Sequence, residues 1–346
     1  MRLDEFDYHL PREMIAQEGV EPRDAARLML LPQGGGLEHL HMRDLPSVLE
    51  RGDLLVVNES RVLAARVMAR KPTGGRAELL FLEPLGDGAW DCLVGGARLS
   101  SGSRLLVGDG DGGASVLLGE PRGPGRYSVT VEDGTSPEEL MGRWGEMPTP
   151  PYIRTRLRDQ ERYQTTYARV EGSVAAPTAG LHFSGPLVAA LDTVGVGMIK
   201  LVLHVGYGTF RPVRAEVVED HAMETERVVV SPEVAASMND ALDEGRRVIA
   251  VGTTTVRALE SATDDDGRVH PVSGTTDLFI HPGHRWRFPY SGLMTNFHLP
   301  RSTLLMLVSA YAGRGRIMEA YGRAIETGYR FYSLGDGMLI MGGPLG

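Results

Sequence analysis

Three histidines stand in short blocks of small, hydroxyl and apolar residues that Gly or Pro interrupts. His182 closes Ala175-Ala176-Pro177-Thr178-Ala179-Gly180-Leu181-His182-Phe183. His204 lies in Leu203-His204-Val205-Gly206-Tyr207-Gly208-Thr209-Phe210, and His298 in Thr295-Asn296-Phe297-His298-Leu299-Pro300. Imidazole titrates near neutrality, so each could move a proton as a general acid or base. Each could also ligate zinc, although no His-x-x-x-His pair supports a metal. A lone histidine is more often a hydrogen-bonded structural residue. Three in similar broken settings tilt the balance toward function, because irregular loops are where folds place reactive groups. They point to one polar pocket gathered from distant segments.

A further candidate is Val248-Ile249-Ala250-Val251-Gly252-Thr253-Thr254-Thr255-Val256-Arg257, a strand, a glycine and three hydroxyls opening a helix. Free N–H groups and the positive dipole end there suit a carboxylate or phosphate. An ordinary glycine turn with threonine caps gives the same pattern. It is not a Walker loop, since no Gly-Lys-Ser/Thr follows. Tyr163 and Tyr167 are four apart, a helical packing spacing that leaves Gln164 and Thr165 to point elsewhere, into the pocket. Arg61, Arg66, Arg70, Lys71 and Arg76 cluster, and Arg154, Arg156 and Arg158 alternate. Alternation puts three guanidinia on one face of an extended chain, where they could clamp RNA phosphates or simply line a solvated edge.

Two kinds of framework must position these groups. From Ala64 to Val131, strand-like runs recur at Ala77–Leu82, Asp91–Val94, Ser103–Val107, Ala114–Leu118 and Tyr127–Val131, with Gly-rich turns between them. Short, evenly spaced strands without a helical period predict a small antiparallel barrel. Three prolines within Pro148-Thr149-Pro150-Pro151 give a stiff exit. Elsewhere helices and strands alternate. Strands are expected at Asp53–Val57, Gly197–Val205, Arg247–Gly252 and Met338–Met341. Helices are expected at Glu161–Val170, Ser184–Val194, Ser231–Gly245, Thr253–Ala262, Thr303–Tyr311 and Arg316–Glu326. The fold class expected is therefore α/β (multi-domain α+β), a mixed-sheet body with an inserted small antiparallel β-barrel. The body takes residues 1–63 and 151–346, and the barrel 64–150.

Bulk composition bounds the function classes. With 346 residues, 42% hydrophobic and 23% charged, the chain can bury a large core. The longest apolar run, Thr303 to Ala312, is too short for a membrane span, and the first residues carry no apolar signal core. Cys92 is the only cysteine, which excludes disulfide frameworks and thiolate metal clusters and fits a reducing cytoplasm. A net charge of −9 argues against a non-specific nucleic-acid coat but leaves room for one basic patch. Only Lys71 and Lys200 are lysines, so arginine abundance reflects a GC-rich genome and is weak evidence for phosphate binding.

Beside these readings, the chain resembles the S-adenosylmethionine:tRNA ribosyltransferase-isomerase family of queuosine biosynthesis. The blocks that carry the resemblance run nearly end to end. They include Asp7-Tyr8-His9-Leu10-Pro11, Val57-Asn58-Glu59-Ser60-Arg61-Val62 and Pro150-Pro151-Tyr152-Ile153-Arg154. Glu161-Arg162-Tyr163-Gln164-Thr165, the three histidine blocks, Val251 to Arg257 and Tyr329 to Asp336 complete them. The resemblance implies a ribosyl transfer from S-adenosylmethionine, a consumed co-substrate, with no metal or redox cofactor. The acceptor would be 7-aminomethyl-7-deazaguanine in the tRNA wobble position, and the products epoxyqueuosine-tRNA, adenine and methionine. It implies a monomer with an α/β body and a β-barrel, acting in the cytoplasm and away from membranes.

On that reading His204 or His298 is the base that removes a proton beside the sulfonium. His182 is an adenine-side acid or orienting donor. The matched blocks supply Asn58, Arg61, Gln164, Thr178, Gly180, Gly206, Thr253, Thr254, Thr255, Arg257, Asn296 and Asp336 as substrate-binding candidates. Among these, Thr253–Thr255 would hold the methionine carboxylate, Asp336 a substrate ammonium, and Arg61 or Arg154 a phosphate. Arg66, Lys71, Arg154 and Arg156 are the RNA-binding candidates. Two departures stand out: Glu224 follows His221-Ala222-Met223 where the family often has a second histidine, and Gly95-Gly96-Ala97-Arg98 replaces a more basic run. The competing classes are a zinc- or histidine-dependent nucleotide hydrolase and a non-enzymatic RNA-binding module.

Overall fold

The computed structural model describes residues 1–108, 113–150, 152–155, 159–210, 213 and 215–345. They fall into two units, one of Met1–Arg61, Pro151–Val170 and Ala176–Gly346, the other of Val62–Pro150 and Glu171–Ala175. In chain order the elements begin with β1 (Arg27–Leu31), β2 (Glu38–His41), the short α1 (Leu45–Val48), β3 (Leu54–Asn58) and β4 (Ser60–Val62). Next come β5 (Arg66–Arg70), β6 (Arg76–Gly86), β7 (Ala89–Gly95), β8 (Arg104–Val107), β9 (Ala114–Gly123), β10 (Arg126–Val131), α2 (Pro137–Trp144) and β11 (Gly145–Glu146). The remainder is β12 (Val170–Ser173), α3 (Gly185–Thr193), β13 (Gly197–Leu203), β14 (Glu226–Val230), α4 (Pro232–Asp243), β15 (Val248–Val251), α5 (Thr253–Ala262), β16 (Val272–Thr276), β17 (Gly292–Asn296), α6 (Thr303–Ala312), α7 (Arg314–Glu326) and β18 (Gly337–Met341).

The first unit is built on a nine-stranded mixed sheet, ordered β16-β14-β13-β3-β15-β17-β18-β1-β2. Its centre is parallel: β3 pairs with β13 and β15, and β15 with β17. Every residue of β3 and β15 is buried, as apolar runs covered on both faces must be. Leu55, Val57, Ile249, Val251 and Met294 pack one face against Phe183, Leu187 and Leu191 of the α3 region. Helix α5 lies against β3, β13 and β15, and α6 packs on α7. Sequence signals set these helices. Ser184, Ser231 and Ser302 each accept from the backbone N–H three residues on, and Pro232 opens α4. Gly252, at φ +93°, takes the left-handed turn that sends β15 directly into α5.

The consequence for function is directional. Strands β13, β3, β15 and β17 all end at the same edge of the sheet, where α5 begins. That carboxyl edge is where open α/β sheets bind ligands.

The second unit is an antiparallel barrel ordered β5-β6-β7-β10-β9-β8, closed by a β5–β8 pairing, with β11 added against β5. Strands β5 and β8 alternate inward and outward, burying Val67, Ala69, Leu105 and Val107. Cys92 is fully buried within this unit. The fold class expected from sequence, a mixed α/β body with an antiparallel barrel, is the one observed. The barrel has more strands than the five runs suggested.

One element is corrected. No helix spans Glu161–Val170. A single 3-10 turn covers Gln160–Tyr163, the Asp159 carboxylate accepts from Glu161 N at its start, and Gln164 is extended at its end. Tyr163 and Tyr167 therefore share no helix face. Tyr163 is fully buried, while Tyr167 is half-buried and stacks edge-on to Phe183.

Candidate functional site

The carboxyl edge of the sheet carries a small cleft around the N-terminus of α5. Pro177, Thr178, Val205, Thr253, Asn296 and His298 are among the residues that line it. Segments remote in sequence thus meet as the histidine blocks suggested. A separate small pocket shares Thr253, Thr254 and Leu304 with this cleft and is lined besides by Met223, Leu278, Phe279, Leu307 and Arg257.

The three histidines have different places. His298 lines the cleft and is buried, and Thr295 Oγ1 lies 2.9 Å from its Nε2. Its Nδ1 has no hydrogen-bond partner among the described residues. Its backbone is held by Tyr321 Oη, which accepts from His298 N at 2.9 Å, and by the Tyr8 hydroxyl, which donates to its carbonyl. Burial pushes its imidazole down to about 3. His204 follows β13 directly and is half-buried, with Nδ1 likewise unpartnered. Burial, and then the charge of Arg227, lower its pKa. Its neighbour Val205 reaches the cleft wall.

His182 does not line this cleft. It borders a separate small cavity with Arg23, Arg162 and Leu334. Its Nε2 accepts from Asn296 Nδ2 at 3.1 Å, and Thr178 Oγ1 donates to Asn296 Oδ1 at 3.1 Å. His182 thus holds from behind an amide that does line the cleft. Burial, reinforced by Arg330 and Arg23, pushes its imidazole down to about 3. In this position the ring orients the Asn296 amide from outside the cleft lining.

Several residues read as ligands are committed to the protein itself. The Asn58 amide donates to Leu203 O at 2.8 Å and to Thr254 Oγ1 at 3.3 Å. Its Oδ1 accepts from Ser60 N and Leu203 N, each at 3.1 Å. All its capacity is used in tying β3 to the end of β13 and to α5. An Asn58→Leu variant would strand these buried backbone groups. It is expected to lose at least about 3 kcal/mol of stability, read from urea unfolding at pH 7; a loss under 1 kcal/mol would refute the role.

Asp336 is likewise tied to the protein. Its oxygens accept from Arg27 N at 3.0 Å and Arg330 N at 2.8 Å, and the Arg330 guanidinium lies 3.5 Å away. It clamps β1 to the turn before β18. Thr255 Oγ1 donates to Val251 O at 2.7 Å, tying the first turn of α5 back to the end of β15. Gly206 N donates to Glu226 Oε1 at 2.8 Å. Gly180 is a packing glycine, since a Cβ there would collide with the Tyr167 hydroxyl. Gln164 is buried, and its backbone carbonyl accepts from Arg23 Nη1 at 2.6 Å. Arg61 pairs with Glu161 at 2.5 Å, away from the cleft lining.

Of the RNA-binding candidates, Arg66 pairs with Glu78 at 3.2 Å and donates to Thr149 O at 3.1 Å. Lys71 donates to the carbonyl of Ala97, within the Gly95–Arg98 departure. Arg154 is exposed. Arg156 lies outside the described residues.

Sequence reasoning missed Glu226. This buried carboxylate ion-pairs with Arg257 while accepting from Gly206, so it joins two of the matched blocks. No local pattern marks it within the β14 run. It also missed Tyr8 and Tyr321, which hold the His298 backbone; Tyr8 stands in a matched block, but nothing there named its partner. Glu224, the other departure, packs against Gly208. No group of three or more His, Cys, Asp or Glu among the described residues could hold a metal ion, and no described helix is long and apolar enough to cross a membrane.

Comparison with known proteins gives one consistent result. The family model described as queuosine biosynthesis protein matches residues 3–340. An S-adenosylmethionine:tRNA ribosyltransferase-isomerase from Moorella thermoacetica is 50% identical over 344 residues, covering 99% of this chain and 100% of that protein. One of the same name from Thermus thermophilus is 50% identical over 352 residues, covering 98% and 99%. The crystal structure of an S-adenosylmethionine tRNA ribosyltransferase from Thermotoga maritima matches with a TM-score of 0.55 at 36% identity, over 97% of this chain and 100% of that one.

Proposed function

We propose, from the premise that this chain belongs to the queuosine biosynthesis protein family, that it catalyses the family's ribosyl transfer in the cleft at the α5 N-terminus. As an S-adenosylmethionine:tRNA ribosyltransferase-isomerase, it would move the ribosyl group of S-adenosylmethionine onto tRNA and isomerise it. The acceptor is 7-aminomethyl-7-deazaguanine at the wobble position. The products are epoxyqueuosine-tRNA, adenine and methionine. We read the enzyme as a cytoplasmic monomer without a resident metal or cofactor.

The observation that carries this reading is the meeting of four matched blocks in one cleft: 176–179, 205, 252–254, and 295, 296 and 298. The chemistry asks for what they offer. The sulfonium acidifies the neighbouring 5′ carbon, so a neutral imidazole can remove that proton. His298 is the first candidate, because it lines the cleft and has an unpartnered nitrogen. His204 is the second, half-buried beside the cleft wall. Asn296 and Thr178, held in register by His182, are placed to hydrogen-bond the ribosyl or base portion of a ligand.

One incubation tests the reaction. Purified protein with S-adenosylmethionine and tRNA carrying the deazaguanine precursor is expected to release adenine and methionine and leave a heavier wobble nucleotide. Release of S-adenosylhomocysteine instead would make the protein a methyltransferase and end this reading.

A further inference from the structure

The loop that carries His298 is held by hydrogen bonds on every side, and part of that hold comes from residues 6–8. His298 N donates to the Tyr321 hydroxyl of α7 at 2.9 Å, and the Tyr8 hydroxyl donates to the His298 carbonyl. To either side, Phe297 O accepts from Tyr332 N at 3.0 Å, and Leu299 O accepts from Ser302 Oγ at 2.7 Å. The peptide groups flanking the His298 Cα are therefore both fixed. Two further contacts bind the same loop to the N-terminal segment. Arg301 N donates to Phe6 O at 2.9 Å, and the Arg301 guanidinium pairs with Asp7. Phe6 is fully buried, and the Tyr8 ring meets Tyr321 edge-on at 5.4 Å between centroids. Residues 6–8 thus lie along residues 298–301, although Tyr8 and His298 are 290 positions apart.

Two backbone conformations show that this arrangement is bought with strain. Arg301 (φ +57°) and Tyr332 (φ +73°) both sit in the left-handed region that favours glycine. Side chains of this size persist there only where the surroundings over-determine them, and such positions gather at working sites. Each of the two gives its N–H to this assembly, Arg301 to Phe6 and Tyr332 to Phe297. The ring of His298 has one contact of its own, Thr295 Oγ1 at 2.9 Å from Nε2, so its direction depends on the backbone that carries it. A base that must meet a substrate proton at hydrogen-bond distance tolerates little drift. We propose that Tyr8 is a positioning residue for the proton transfer, its hydroxyl fixing the His298 carbonyl so that the imidazole enters the cleft in one direction. This inference rests on the reading of His298 as the base, and adds the N-terminal segment to what places it. Tyr8 is absent from the cleft lining, so it acts through His298 and not on the ligand. Its two parts have separate tasks. The ring packs on Tyr321 and Phe331, while the hydroxyl makes its one hydrogen bond among the described residues to His298.

A double-mutant cycle on the full chain tests the assignment. Tyr8→Phe keeps the ring packing and removes only the hydroxyl. Single-turnover release of adenine is expected to fall about tenfold, with the affinity for S-adenosylmethionine, read by calorimetry, within twofold of wild type. In a His298→Ala background the same substitution should change the residual rate less than twofold, because the ring it places is gone. A merely structural role would slow both backgrounds alike and overturn the proposal. So would a Tyr8→Phe rate within twofold of wild type, or a loss of affinity that matches the loss of rate. Should Tyr8→Phe fail to fold, Asp7→Asn, which breaks the exposed pair with Arg301, goes through the same cycle. Its expected loss is about two- to threefold, in the wild-type background alone, and no loss there overturns the proposal. Failure of the broader reading looks different: the wild type itself would then release no adenine from S-adenosylmethionine.

Discussion

A His298→Ala enzyme is expected to transfer ribosyl groups about 10²- to 10⁴-fold more slowly than wild type, the usual loss when a positioned acid–base group is removed. Its KM for S-adenosylmethionine should move far less, because the ring offers proton chemistry and little binding area. The expectation rests on placement. His298 is the one of the three block histidines that lines the cleft, and Thr295 fixes its Nε2 while Nδ1 stays unpartnered. Its backbone is pinned by Tyr321 and Tyr8, so truncation should leave the loop in place. Single-turnover release of adenine reads the effect. A rate within a few-fold of wild type would move the base to His204. His204→Gln would then carry the large loss. Its acid limb in kcat/KM would lie below pH 6.5, since burial lowers that pKa from 6.5.

The second large effect is on stability at mildly acid pH. His182 and His298 are 5% and 3% exposed and titrate at about 3 when folded, against an ordinary value of 6.5. Below pH 6.5 the unfolded chain takes up a proton at each site and the folded chain does not. Stability therefore falls as pH drops from about 6.5 toward 3, by about 1.4 kcal/mol per pH unit for each ring. Between pH 7 and pH 5 the pair should cost the fold about 4 kcal/mol. Urea unfolding at the two pH values measures it. His182→Asn, which removes one of the titrating rings, should reduce the slope by about half. Equal stability at pH 7 and pH 5 would show that these rings are not held neutral.

The parts of this molecule that were legible in the sequence are those with local punctuation. Ser231-Pro232 announces α4, Gly252 announces the turn into α5, and the apolar runs of β3 and β15 stand alone as buried strands. Strand β17 escaped notice because Thr295 and Asn296 break its apolar pattern, although all five of its residues are buried. Those polar residues are the ones that serve the cleft, and local conflict of this kind tends to mark function. The helical spacing of Tyr163 and Tyr167 misled for the opposite reason. A capped turn at Asp159 and the burial of Tyr163 decide that segment, and propensity does not. Asn58 and Asp336 show a deeper limit. A buried polar residue that serves substrate and one that serves backbone look alike in a sequence, because the difference lies in partners hundreds of positions away.

The amide of Asn58 also dictates when the enzyme can first work. It bridges residues 145 positions apart at Leu203 and 196 apart at Thr254. Closures of that length come late in folding, since the entropy of the intervening chain must be overcome first. On a ribosome, β3 would emerge without either partner and wait through the synthesis of the whole barrel. His298, the proposed base, is made later still. Nascent or truncated chains should therefore be catalytically silent, and competence should arrive in one step near the end of translation.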